Sequence, residues 1–81
     1  MADVVRSPRM AGDIVRKARL ARGWTQADLA AHMNVRQATV SKLENGEPAT
    51  RMAVLFDALA ALGLELAVAD RGGSANFKDL F

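Results

Sequence analysis

GWTQADLAAHMNVRQATVSKLENG, residues 23–46, is the stretch on which the fold turns. Thr25 is placed to cap a helix, and Asp28 stands at the N3 position of a capping box, where Glu or Gln is more usual. Trp24 before the cap and Leu29 at N4 are placed for a hydrophobic staple, so a helix is predicted over about Gln26–His32. Asn34 is the residue best suited, after glycine, to the left-handed conformation of a tight turn. A second short helix is predicted from about Arg36 to Asn45, ended by Gly46.

Two short helices that cross at a steep angle need a small residue at the crossing, a turn residue between them and apolar side chains beneath both. Ala30 and Asn34 supply the first two, and Leu29, Met33, Val35, Val40 and Leu43 supply the third. An arbitrary amphipathic hairpin has no reason to satisfy all seven positions, so residues 26–45 are predicted to form a helix-turn-helix.

The second helix of this motif has two faces. At about 100° per residue from Gln37, Thr39, Val40 and Leu43 fall between about 200° and 300°, the buried side. Gln37, Ala38, Ser41, Lys42 and Asn45 fall between about 0° and 140°, an exposed side. Glutamine can bond adenine bidentately, lysine can donate to guanine, serine suits either, and alanine can contact a thymine methyl. Arg36 lies at the start of this helix, where the helix dipole disfavours a cation and Ser or Asp would cap better. A phosphate or a guanine gives that placement a reason. Arg36, Gln37, Ala38, Ser41 and Lys42 are therefore the candidate base contacts. Gln26, Thr39, Asn45 and Arg51 are the candidate phosphate contacts flanking them, with Arg22, Arg6 and Arg9 as weaker candidates.

Outward from this core, Ser7-Pro8 is a helix start signal. Met10, Ile14, Ala18 and Ala21, with Leu20 beside them, then run at helical spacing to Gly23, predicting a helix over about residues 8–22. Beyond Gly46, Thr50 is the expected cap of a helix over Arg51–Leu62, with Met52, Leu55, Phe56, Leu59 and Leu62 inward. After Gly63 the period becomes two: Leu64, Leu66 and Val68 alternate with Glu65, Ala67 and Ala69. One strand cannot stand alone, so Leu64, Leu66 and Val68 are expected to pair antiparallel with the same strand of another copy. The expected division is a flexible arm 1–7, a DNA-binding domain 8–63, a dimerisation strand 64–69 and a flexible tail 70–81. The tail carries Phe77, Leu80 and Phe81, so a partner-binding peptide competes with a plain tail.

Eighty-one residues suffice for one small domain, and an apolar fraction of 51% drawn mainly from Ala, Leu, Val and Met predicts a mainly all-α fold. No cysteine is present, which excludes disulfides and thiolate metal sites and suits a reducing compartment. No apolar run reaches the roughly 20 residues of a membrane span, and no signal-peptide core is evident, so a soluble cytoplasmic protein is expected. The net charge is +2, but residues 1–46 carry +4 and the remainder −2, which places a polyanion-facing side on the first half. His32, the lone histidine, has no nucleophile or carboxylate constellation around it, so no catalytic residue, metal or cofactor is expected.

TQADLA (25–30) and TVSKLENG (39–46) resemble the Xre/Cro/phage-repressor helix-turn-helix regulators over about residues 8–63. Ser7-Pro8 seventeen residues ahead of Trp24-Thr25-Gln26, RQATVS (36–41) and the LELAVA ending (64–69) resemble HipB-type antitoxins, partners of HipA-type Ser/Thr kinase toxins. The resemblance implies a dimeric repressor of four to five helices whose C-terminal strands pair across the dimer. It also implies a palindromic double-stranded operator, a kinase toxin as partner, association with the bacterial nucleoid when operator-bound, and base contacts from Arg36, Gln37, Ala38 and Ser41. Arg19 and Glu44 occupy positions that form a partly buried ion pair in related repressors. Asn34 departs from the usual turn glycine. The competing expectations are a free-standing Xre-type repressor without a toxin and a protein-interaction module that keeps the fold; an acidic or apolar face on the second helix of the motif would favour the module.

Overall fold

The structure, a computed structural model, describes residues 4–71. Within them the chain forms four helices: α1 Pro8–Ala21, α2 Gln26–Met33, α3 Gln37–Glu44 and α4 Met52–Ala61. Ser7 caps α1 by accepting from the Met10 amide, with Pro8 in the first turn. Thr25 and Asp28 close the capping box of α2 from both directions, at 3.0 and 2.8 Å. Asn34 takes the left-handed conformation, φ 58° and ψ 46°, and turns the chain from α2 into α3. Its short polar side chain tolerates the strain that a bulkier residue would not.

The core is Val15, Leu29, Ala30, Val40, Leu43, Ala58, Leu59 and Leu62, with Trp24, Met33, Val35, Val54 and Leu55 half-buried against it. All five apolar positions of the motif thus line or border one core, and Ala30 is buried with them where α2 packs on α3. Because α3 packs on both α1 and α2, its orientation is fixed from two sides.

Helix α1 buries a different face from the one its apolar residues suggest. Met10, Leu20 and Ala21 are exposed, Ile14 and Ala18 are half-buried, and the fully buried residues are Gly12, Val15 and Arg19. The reason is backbone contact with α3. A side chain at Gly12 would put its Cβ 2.5 Å from the Leu43 carbonyl oxygen and 2.7 Å from that of Glu44. Only glycine lets α1 lie directly on the end of α3, and that approach turns Arg19 inward.

Two expectations for α4 are corrected. Thr50 does not cap it: Arg51 holds the N-cap position, and Thr50 is kept one residue upstream by a turn bond from its amide to the Glu47 carbonyl. Its buried Oγ1 makes no hydrogen bond among the described residues. Nor are Met52 and Phe56 inward, being 71% and 48% exposed. The apolar stripe of α4 is wider than the surface the other described residues offer to cover it, so Ala58, Leu59 and Leu62 fill the core and this edge is left outside. Residues 64–71 form neither helix nor strand within the single chain, and Leu64, Leu66 and Val68 are exposed there. Residues 1–3 of the expected arm, and Phe77, Leu80 and Phe81 of the expected tail, lie outside the described residues.

Candidate nucleic-acid interface

Val40, Leu43 and Glu44 are the buried residues of α3, and they hold the helix to α1 and α2. Gln37, Ala38, Lys42 and Asn45 are consequently exposed, with Ser41 half-buried beside them. Arg36 is exposed at the N-cap in extended backbone, φ −76° and ψ 150°, and caps nothing with its side chain. The first turn of α3 carries no acid either. Its unpaired amides and dipole therefore leave a positive end next to a cation, an arrangement that favours an anion nearby. The exposed face is neither acidic nor apolar, which counts against a pure protein-interaction surface.

The flanking candidates divide into two groups. Thr39, Lys42 and Arg51 are brought together around an open recess of about 450 Å³ between α3 and α4, with Val35, Thr50 and Val54 completing its lining. Arg51 is exposed at the N-cap of α4, again without a side-chain cap. Thr39, half-buried, thus lines that recess despite its place on the inner side of α3. Asn45 is exposed at the C-cap of α3. Gln26 differs, because its side-chain amide donates 3.1 Å to Glu44 Oε1 and is not simply offered outward. Arg22 is occupied elsewhere: it donates 3.1 Å to the Leu62 carbonyl and lies 5.1 Å over the Trp24 ring. It ties the end of α4 to α1 rather than extending the site. Arg6 and Arg9 are exposed.

Beneath this surface lies a buried ion pair. Arg19 donates from Nε to Glu44 Oε2 at 2.7 Å and from Nη2 to Oε1 at 3.0 Å, while its Nη1 donates 2.7 Å to the Trp24 carbonyl. The hydrogen bond to Glu44 pushes the Arg19 guanidinium above its ordinary value, against the opposing effect of burial. The resemblance implied this pair; the bond from Gln26 into it is new. Spacing alone does not mark the pair, because Glu44 falls at about 340° on the α3 wheel, in the gap between the buried and the exposed arcs. On α2, Asp28 accepts from the Thr25 amide, which holds its carboxyl below the usual value. His32 is exposed and stacks on Trp24, centroids 4.1 Å apart.

A helix-turn-helix family model, HTH_3, matches residues 15–68. The antitoxin HipB of Escherichia coli K12 is 33% identical over 64 residues, which span 79% of this chain and 73% of that protein. The antitoxin HipB of Escherichia coli O6:H1 is 33% identical over the same length, 68% of that protein. Among solved structures, a chain of the HipA-HipB-O2-O3 complex superposes with a TM-score of 0.80 at 30% identity, covering 86% of this chain and 99% of that one. A chain of the HipB-O4 20mer complex gives the same values.

Proposed function

Since the chain belongs to the HTH_3 helix-turn-helix family and, within it, to the HipB-type antitoxins, we propose that it is a DNA-binding repressor that also binds a HipA-type kinase toxin. In this role it represses its own operon as a homodimer on a palindromic operator, and it neutralises the toxin. The observation that carries the DNA reading is the exposed polar face of α3 with Arg36 at its uncapped start. Arg36, Gln37, Ala38, Ser41 and Lys42 meet base edges in the major groove, and Gln26, Thr39, Asn45 and Arg51 meet the phosphates on either side. The family is not an enzyme family, and the chain is not an enzyme.

Met52, Phe56, Leu64, Leu66 and Val68 are the apolar groups a second copy covers, with residues 64–69 pairing as strands across the two-fold axis. Two recognition helices held in this way meet half-sites about one or two helical turns apart, in steps of roughly 10 bp. Residues 70–81 form the segment offered to the toxin, so deleting them should spare DNA binding and weaken the toxin complex; unchanged toxin affinity would leave them a plain tail. The protein works in the cytoplasm, on the nucleoid while operator-bound; no helix of the described residues is long and apolar enough to cross a membrane.

A gel shift on the region upstream of its own reading frame, at moderate salt, tests the DNA reading. Preference over random DNA is expected, and no preference sinks it. A free-standing repressor without a toxin differs in one observation: no kinase-like reading frame beside its own.

A further inference from the structure

The Glu44 carboxylate does more than balance Arg19. It accepts from two guanidinium nitrogens of Arg19, on α1, and from the amide of Gln26, the first residue of α2. One carboxylate at the end of α3 thereby ties three helices together. The bidentate pair to Arg19 is buried, whereas the third bond reaches a half-buried side chain at the rim of the core. A glutamine amide has two N–H groups, and Glu44 uses one of them.

Resting on the DNA reading above, we infer that Glu44 is a positioning residue: it holds the Gln26 amide so that the second N–H meets a phosphate oxygen, in fixed register with the reading face. The register follows from the shared helix. Ser41 and Gln37 stand three and seven residues before Glu44 on α3, so the helix that carries the reading residues also sets the phosphate donor on α2. Ordering the side chain before DNA arrives removes part of the entropy that binding would otherwise cost. Arg19 is necessary to the device, since a bare carboxylate beside a phosphate would repel it, and the two short bonds from the guanidinium neutralise that charge.

The test uses the full chain and two duplexes, the region upstream of its reading frame and an unrelated sequence of equal length, titrated over a salt series. Gln26→Ala should weaken both duplexes about tenfold alike and lower the salt slope by about 0.9, one phosphate contact. The paired change Arg19→Met with Glu44→Leu removes the partner of Gln26 while replacing a buried ion pair by apolar groups, which proteins often tolerate. If circular dichroism shows it folded, it should reproduce the loss and the slope of Gln26→Ala, and adding Gln26→Ala should cost nothing more. Unchanged affinity, or losses that multiply, would overturn the inference. Should that variant not fold, Gln26→Asn decides: it keeps an amide but is too short to span to Glu44. Binding as weak as that of Gln26→Ala supports positioning, and binding like the wild type overturns it. Failure of the wild-type chain to bind either duplex would instead overturn the DNA reading itself.

Discussion

Helix α3 starts behind Arg36 and α4 behind Arg51, both in extended backbone, and neither first turn contains an acid or a side-chain cap. The two helices share an electrostatic deficit at their starts and differ in what they turn outward. The outer face of α3 is Gln37, Ala38, Ser41 and Lys42, whereas the outer edge of α4 is Met52 and Phe56. A positive helix start beside polar donors suits the floor of a DNA groove, and one beside bare apolar groups suits a phosphate next to a protein contact. On the proposed reading, α3 is the helix that reads and α4 the neighbour that dimerises, both anchored on the same core.

What anchors them is also different, and the largest expected effect exposes it. α3 is held by the buried Arg19–Glu44 pair beside Val40 and Leu43, whereas α4 is held mainly by apolar packing, with Ala58, Leu59 and Leu62 buried and Val54 and Leu55 half-buried. Glu44→Ala leaves a buried guanidinium without its partner and should cost about 3–5 kcal/mol, most of the stability of so small a domain. Urea unfolding measures it. A loss below about 1 kcal/mol would mean that water reaches Arg19 and that α3 is held by apolar packing just as α4 is.

The second effect separates folding from assembly. Met52→Ser with Phe56→Ser removes apolar groups that the described residues leave largely exposed, so the monomer should keep its helical signal and its unfolding midpoint. The dimer should weaken by about 1.5–3 kcal/mol for each side chain that the partner fully buries, visible by sedimentation as a shift toward monomer at micromolar concentration. If the monomer unfolds instead, the two residues pack within the chain and the proposed face is misplaced.

How far these regions were legible in the sequence follows the same division. The motif itself was open to reading because each demand falls on one residue: a capping box on Thr25 and Asp28, a left-handed turn on Asn34, a close crossing on Ala30. The exposed face of α3 followed from counting, since Val40 and Leu43 fix the buried direction. The inner face of α1 did not, because hydrophobicity marks Met10 and Leu20 while backbone approach at Gly12 and charge pairing at Arg19 decide it. The exposure of Met52 and Phe56 was hidden for a related reason: the pattern shows how much apolar surface a helix has, not how much of it one chain can bury. The Gln26–Glu44 bond joins residues 18 apart in sequence, and no periodicity within one helix could reveal it.

The third effect sets reading against positioning. Gln37→Ala should relax preference at one base pair by about 1–3 kcal/mol and leave other positions unchanged. Arg51→Ala should weaken every sequence alike and lower the salt slope by about 1. Competition binding with single-base operator variants distinguishes them. Uniform losses from both changes would make α3 a second backbone-contacting helix, and the contrast with α4 would collapse.

The smallest effect is the sharpest test of why both helices begin with arginine. Arg36→Ser places a good cap where the amides of α3 lack a side-chain partner, and the isolated protein should gain about 0.5–1 kcal/mol in unfolding free energy. DNA affinity should nevertheless fall, because a cation that opposes the helix dipole in the free protein is favourable once phosphate or guanine lies against it. Stability and affinity therefore move in opposite directions on one substitution, which a merely tolerated surface arginine would not do. Arg51→Ser should show the same sign at α4, with its affinity loss independent of sequence, whereas that at Arg36 should fall more heavily on the operator than on random DNA. If Arg36→Ser stabilises the fold and leaves the operator complex intact, the residue has no part in reading, and recognition begins at Gln37.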